Sequence, residues 1–567
     1  MASGKVHFEV FVKKHRKAGW SLVEARDDRE DAIAHAKTLL AQLPRGSVRV
    51  SKERFDEDER VFRTATIFED GAERFAADEE KTGDGSLPCL TPDDLSNPAA
   101  RDTIGRVLDG WLERQQVTPM ELLHRPDLVE MLETGGTEMQ HAVQKVAVAS
   151  AKDGDSSVHA YVKQLNELVG KALTRVYQDG RAGNLPKFPT SKSFKDIVSE
   201  IYVKPSAYRL RAAISDRLSN ARSYRDKVAL LLDFADDLPD DAEAAEAALS
   251  EVDSFLSETI SFDSGMAGLI GDTADLGDEI QRLADIFDGS TDAESLSSAP
   301  TPARRLAARL KSGDMAWTKT ALAQRILTLL RKPRRMKPDD VGAEVKLARA
   351  LAQKLVMAQG PDLPAQALQD AFSQRSSRLL TPETIGDYLE DCEDAGVEID
   401  RLLTLEENLV GAQNKQKLAG YIRATLGAHK TETYFVRGPG GPTDRLTGLV
   451  ARQTLVEHGH FPPEDEAELL GAFDTLGVKI LDETRILDRV ENGDRPALER
   501  ATALLKLATT GVLPKGECTT QAQTRALRLL RSEMGLKEAK ADTDRTKLSE
   551  IENLLKTLIP AKGEATA

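Results

Sequence analysis

The feature that most constrains the fold is that strand-like alternation of apolar and polar residues is confined to the start of the chain. From Val6 to Val12, apolar side chains occupy every second position, which is the period of a half-buried strand. Three further segments are predicted as strands: 20–26, 46–55 and 59–68. Residues 27–43 carry acids in a first helical turn and an apolar face, and predict a helix. The sequence therefore predicts a small ββαββ module over residues 1–75.

Helical periodicity dominates the rest of the chain. One device recurs at helix starts: a proline suited to the first helical position, in most cases followed by an acid that favours the positive end of the helix dipole. It occurs in LTPDDL from Leu90, VTPMELL from Val117, KPDDV from Lys337, LTPETI from Leu380 and PPEDEAELL from Pro462. An aromatic fraction of 5% also suits helices packed through Leu and Ala better than large sheets. We expect a mainly α protein whose helices form irregular hairpins or bundles.

Composition divides the chain after the module into five parts. Gly, Pro, Ser and acids predict a linker at 76–100, and Ser, Thr and Pro predict a flexible linker at 288–303. The complete predicted order is a linker at 76–100, a helical domain at 101–287, a flexible linker at 288–303, a basic helical segment at 304–372 and a C-terminal helical domain at 373–567.

Charges are strongly segregated on either side of the second linker. No lysine or arginine occurs between Lys227 and Arg282, and we call residues 228–281 the acidic segment. Basic residues dominate 304–354, which we call the basic segment. We expect the two segments to meet within the chain or between two copies. Because an exposed ion pair contributes only about 0–1 kcal/mol, such segregation favours partner choice over stability.

The densest run of positive charge is RKPRRMK at 331–337, between helices predicted at 317–330 and 339–357. Its candidate binding residues are Arg331, Lys332, Arg334, Arg335 and Lys337. Runs of this kind bind anionic ligands, nucleic acid or acidic protein surfaces. The run contains no aromatic residue, so it lacks the stacking platform of a single-strand binder.

No motif in the sequence predicts a catalytic, cofactor-binding or metal-binding site. The chain has no H-E-x-x-H, no G-x-S-x-G and no kinase signature, and its three cysteines are widely spaced. His124, His141 and His159 lie on neighbouring predicted helices and leave a metal-dependent hydrolase as the least favoured alternative. In HGH, His458 is interpreted as the end of a helix, with Gly459 as its left-handed cap.

These observations favour a non-catalytic adaptor or scaffold that binds other proteins, in signalling or assembly. The formal net charge of −16 argues against general affinity for nucleic acid. No segment reaches the roughly 18 apolar residues needed to cross a bilayer, and no export signal is evident, so we expect no membrane insertion and a cytoplasmic location. Two alternatives remain open: self-association through the acidic and basic segments, and regulatory binding of an anionic ligand or nucleic acid at 304–354.

Overall fold

The structure is a computed structural model that describes residues 6–13, 21–41, 47–56, 61–71, 89–150, 158–542 and 545–558. It confirms the predicted class: the chain is mainly α-helical and carries a small antiparallel sheet near its N-terminus. Residues 76–88 of the predicted first linker lie outside the described residues. The chain divides into two compact units, residues 1–186 and 187–567. The five boundaries proposed from composition stay predictions about independent folding.

The N-terminal module has the predicted ββαββ order. Its elements are β1 (Val6–Lys13), β2 (Ser21–Arg26), α1 (Arg29–Ala41), β3 (Ser47–Asp56) and β4 (Val61–Gly71). The strands pair antiparallel in the order β2-β1-β3-β4. Alternate side chains of β1 and β3, among them Val10, Val48 and Val50, pack with Ala32 and Ala36 of α1 into a small core. The period-two pattern thus supplies the single apolar face that one helix can cover.

After the N-terminal module, the described residues of the first unit form helices. They are α2 (Pro98–Val107), α3 (Asp109–Gln115), α4 (Pro119–Leu122), α5 (Pro126–Thr134), α6 (Glu138–Ser150) and α7 (Val158–Ala182). The start of α4 follows from local sequence. Thr118 Oγ1 accepts a hydrogen bond from the backbone N–H of Glu121 (3.3 Å), and the Glu121 carboxylate accepts one from the N–H of Thr118 (3.0 Å). This reciprocal pair satisfies two N–H groups that no helical carbonyl can reach.

The second unit is entirely helical in its described residues. Its first ten helices are α8 (Phe194–Tyr202), α9 (Ala207–Leu218), α10 (Tyr224–Asp236), α11 (Ala242–Ser261), α12 (Asp263–Ile270), α13 (Leu276–Phe287), α14 (Thr301–Lys311), α15 (Ala316–Arg331), α16 (Val341–Met357) and α17 (Ala365–Leu379). The helices that follow are α18 (Pro382–Leu389), α19 (Ala395–Glu406), α20 (Ala412–Leu426), α21 (His429–Arg437), α22 (Pro442–His458), α23 (Pro463–Thr484), α24 (Ile486–Glu491), α25 (Ala497–Thr509), α26 (Glu517–Arg531), α27 (Glu533–Ala541) and α28 (Thr546–Leu558).

A large core runs through the second half of this unit. It extends from Val341 and Val345 of α16 to Ile551 of α28, and its centre is formed by fully buried leucines and isoleucines such as Leu402 and Leu449. The amphipathic last helix packs on this core, and Ile551 is buried there. Its apolar face is therefore covered by its own unit.

Two local expectations were wrong. Residues 288–303 do not form a flexible linker, because Leu296 is fully buried and the Arg282 guanidinium donates hydrogen bonds to Ser295 O (3.1 Å) and Ser298 Oγ (3.1 Å). Composition indicated a polar tether, but one leucine and a partner 13 residues away in sequence are enough to fix the segment. Gly459 follows α22 as predicted, but its φ of −72° is not left-handed.

Candidate functional site

Several cations of the basic segment pair with the acidic segment inside the chain. Arg305 of α14 donates to Asp233 (2.8 Å) and Asp236 (2.5 Å) at the end of α10. Arg309, one turn further along α14, also donates to Asp236 (2.7 Å) and to the carbonyl of Ala235 (2.5 Å). The acidic and basic segments therefore meet within one chain at this point, which is the first of the two arrangements expected from the sequence.

The same pattern continues along α15 and α16. Arg325 bonds to Asp263 (2.7 Å) and Glu279 (3.1 Å), and Lys354 pairs with Asp285, which lies just after the acidic segment. Buried Asp253 of α11 accepts hydrogen bonds from the first N–H groups of α15, those of Trp317 and Thr318, each at 2.8 Å. These contacts align the acidic helices with the basic ones.

Two of the five candidate cations are also used internally. Arg335 pairs with Glu344 (3.1 Å) and lies 3.6 Å from Asp387. Lys337 binds both Asp275 (2.9 Å) and Asp278 (2.6 Å). Partial burial would lower the pKa of Lys337, but the hydrogen bonds to these two carboxylates outweigh it and raise the pKa.

The other three candidate cations remain at the surface. Arg331, Lys332 and Arg334 are exposed, and none makes an ion pair with any residue in the described part of the chain. They lie on the connection between α15 and α16, which we call the basic turn (331–337). Arg304, Lys311, Lys319 and Lys346 also lack an ion-pair partner among the described residues, but they are scattered along the basic segment, whereas three such cations lie together on this turn.

Arg375 of α17, which is 1% exposed, donates hydrogen bonds to the backbone of the basic turn and of the end of α15. One end of its guanidinium, Nη2, donates to the carbonyls of Leu329 (3.1 Å) and Leu330 (2.9 Å), and Nη1 donates to that of Arg334 (2.7 Å). The last carbonyls of a helix have no intrahelical N–H partner. Arg375 supplies donors to two of them and to the turn that follows.

A second arginine completes the end of α15. Arg378, one turn along α17 from Arg375, donates to the carbonyls of Arg331 (2.5 Å) and Lys332. The two guanidinium groups therefore donate hydrogen bonds to five carbonyls of this stretch: those of Leu329, Leu330, Arg331, Lys332 and Arg334. Such bonds to charged donors are stronger than bonds between neutral groups.

Buried Glu344 of α16 holds the other side of the turn. Its carboxylate is 1% exposed, accepts hydrogen bonds from Met336 N (3.1 Å) and Arg335 Nε (3.1 Å), and lies 4.0 Å from Arg375. The fully buried Met336 also accepts a hydrogen bond from Gly277 N (3.0 Å). A Cβ at Gly277 would lie 2.5 Å from a methyl of Leu347 and 3.0 Å from Met336 O, so glycine permits this close approach.

Positive charge outweighs negative charge around the turn. The cations are Arg331, Lys332, Arg334, Arg335, Lys337, Arg375 and Arg378, and the carboxylates in contact with them are Glu344, Asp387, Asp275 and Asp278. Burial, followed by the positive charge of Arg378, lowers the pKa of Arg375 to about 10, although Glu344 opposes this. Burial also lowers the pKa of Arg378. The arrangement has the electrostatics of an anion-binding surface.

The sequence did not single out Arg375, Arg378 or Glu344. Each lies on a helix next to other polar residues and looks like an ordinary surface position in the printed sequence. The available signal was weak: arginines recur at positions three apart on α17, which places them on one face. Their partners lie more than 40 residues away, and no local pattern identifies such partners.

The histidines considered for a metal-dependent hydrolase occupy unlike environments. His124 is buried and its Nδ1 lies 2.7 Å from Met120 O, whereas His141 and His159 are exposed on α6 and α7. Across the residues that the structure describes, no three His, Cys, Asp or Glu side chains are grouped so that they could hold a metal ion. His458 and His460 at the end of α22 are likewise not part of such a group.

Comparison with known proteins gives no relative: no family model, no curated protein and no solved structure matches the chain. None of the helices in the described ranges combines the length and the apolar character required to span a membrane.

Proposed function

We propose that this protein is a non-catalytic adaptor or scaffold that binds an acidic partner protein at the basic turn. We further propose that it works in the cytoplasm, in signalling or assembly. The observation that carries the proposal is the combination of three exposed, unpaired cations with a turn backbone that is hydrogen-bonded to buried charged side chains. A surface of fixed shape and charge is what a docking site requires.

The distribution of ion pairs supports this location over the rest of the basic segment. Arg305, Arg309 and Arg325 already have carboxylate partners in the chain, so a ligand would have to displace those partners. Arg331, Lys332 and Arg334 require no such displacement, and they lie within four residues of one another. The other cations of the basic segment without a carboxylate partner in the described residues lie apart in sequence: Arg304, Lys311, Lys319 and Lys346. On a chain with a formal net charge of −16, a local excess of positive charge also steers acidic partners toward one place.

The proposal is tested with fluorescent poly-L-glutamate as a model acidic segment. Binding is measured by fluorescence anisotropy for the wild-type chain and for the triple variant R331E/K332E/R334E. Three lost contacts of about 0.5–1 kcal/mol each predict affinity that is weaker by about 10- to 100-fold. Affinity of the wild type should also fall steeply as salt is added.

A matched control changes the net charge equally at three other exposed cations, in K417E/R531E/K537E. It should bind almost as the wild type does, because these residues lie on α20, α26 and α27, away from the turn in sequence. Equal affinity of the triple variant and the wild type would contradict the proposal.

Inorganic phosphate and a single-stranded oligonucleotide are tested in parallel. Tighter binding of either one at the turn would favour the anionic-ligand alternative over a protein partner.

A further inference from the structure

A surface of opposite charge lies at the beginning of α11. Asp240 is 99% exposed, and its nearest cation is Lys195 at 3.9 Å. Glu243 and Glu246, on the first two turns of α11, are also exposed. We call Asp240, Glu243 and Glu246 the acidic tip. Unlike Asp233 and Asp236, which bind arginines of α14, the acidic tip extends into solvent.

The acidic tip and the basic turn belong to the same unit but lie at opposite ends of a helix pair. Asp253 of α11 contacts the start of α15 at Trp317, and Asp263, just after α11, contacts Arg325 further along α15. The earlier aspartate contacts the earlier residue of α15 and the later aspartate contacts the later one, so α11 and α15 run parallel. Residues 242–253 of α11 and 317–331 of α15 separate the two surfaces. At a rise of about 1.5 Å per residue, the two stretches together correspond to about 37 Å along the helix axes.

We propose that the acidic partner of the basic turn is a second copy of this chain, which presents its acidic tip. This inference rests on the proposed function and names the partner. Because the two surfaces are too far apart to meet in one chain, contact between them has to form between chains. The contact joins different surfaces on the two copies and is therefore heterologous. In a pair, one copy keeps a free acidic tip and the other keeps a free basic turn, so further copies can add head to tail.

Each surface alone has a local explanation. Acids at the start of a helix and bases after its end both interact favourably with the helix dipole. The dipole accounts for the sign of the charges, but it does not require them to be exposed at both ends of the same helix pair. Association between copies explains that exposure and predicts a strong dependence on salt.

The test uses sedimentation velocity of the full chain at about 50 mM and about 500 mM NaCl, conditions that differ severalfold in screening length. At low salt, we expect the average mass to rise above the 62.0 kDa of one chain as concentration increases, and to return to that value at high salt. The variants R331E/K332E/R334E and D240K/E246K should each stay monomeric at low salt. In each, two surfaces of the same sign would have to meet.

Mixing the two variants provides the decisive result. Each then offers surfaces that complement the other's, so association should return in the mixture although neither variant associates alone. The control K417E/R531E/K537E should associate as the wild type does. A wild type that is monomeric at all concentrations, or a mixture that stays monomeric, overturns the inference. If poly-L-glutamate still binds the basic turn in that case, the proposed function stands and only the identity of the partner is wrong. If poly-L-glutamate binding is also absent, both are wrong.

Discussion

Replacing Arg375 should loosen the basic turn without removing any exposed charge from it. Arg375→Met removes the guanidinium donors to Leu329 O, Leu330 O and Arg334 O, although Leu329 O still accepts a hydrogen bond from the N–H of Lys332. Three hydrogen bonds from a charged donor contribute about 1.5–3 kcal/mol each. The free-energy cost of burying the guanidinium offsets part of the stabilisation from these hydrogen bonds. The lowering of the Arg375 pKa from 12.5 to about 10 corresponds to about 3 kcal/mol.

The difference between these contributions predicts a net loss of about 1.5–6 kcal/mol of local stability in Arg375→Met. Arg375→Lys provides the sharper comparison, because it keeps the buried positive charge but has a single amino group in place of the planar fork. Lysine can reach only part of the set of carbonyls while it still bears the cost of burial. We therefore expect Arg375→Lys to be no more stable than Arg375→Met.

Hydrogen exchange followed by mass spectrometry measures this loss where it occurs. The amide of Met336, bonded to Glu344, should exchange at least about 10-fold faster in both variants than in the wild type. Amides of α23, in the core of the second half of the unit, should be unaffected. Exchange at Met336 within about twofold of the wild type would refute the reasoning, as would full rescue by lysine.

Four further predictions follow from other contacts. Gly277→Ala should displace the turn and cost about 1–3 kcal/mol, seen as faster exchange at Met336, because its Cβ would overlap neighbouring atoms. For Asp236, burial raises the pKa, but hydrogen bonds from two arginines of α14 outweigh it, so the pKa in the folded chain lies below 3.8. The ionised group therefore stabilises the fold above that pH, and its contribution to thermal stability should fade as the pH falls below about 4. Asp236→Asn should lack this pH dependence. Asp253→Ala should cost about 1–2 kcal/mol and speed exchange at the start of α15, where two N–H groups lose their acceptor. Cys518 is fully buried and burial raises its pKa, so a thiol reagent should modify the two half-buried cysteines first in native protein; equal rates would contradict this burial.

Local signals in the sequence predicted the elements well. The alternation from Val6 to Val12 became β1, and the prolines at 119, 382 and 463 each stand at the first position of a helix. These signals act within a few residues, through pleating, capping or a fixed φ. The stretch from Leu90 shows their limit. It has proline and two acids, but only a short 3-10 turn, Asp94–Ser96, forms there.

The candidate site was predictable only in part. The run 331–337 is visible as a cluster of charge, but which of its cations remain free depends on partners far away in sequence. Lys337 and Arg335 are neutralised by Asp275 and Glu344, whereas Arg334 is not. Likewise, Ser-rich composition at 288–303 could not reveal that Leu296 fills a core position. Pairing and burial of this kind are properties of tertiary packing, which single-sequence patterns do not encode.

The central claim is that the three free cations act as one surface because the backbone beneath them is fixed. The affinity of poly-L-glutamate for Arg375→Lys tests this most directly, because the variant keeps every charge and alters only the fork that binds the turn. Ordering a loosened turn on binding costs about 0.5–1.5 kcal/mol for each side chain that must be immobilised, or about 1.5–4.5 kcal/mol for the three cations. The account therefore predicts affinity at least about 10-fold weaker than that of the wild type. Affinity equal to that of the wild type would contradict it.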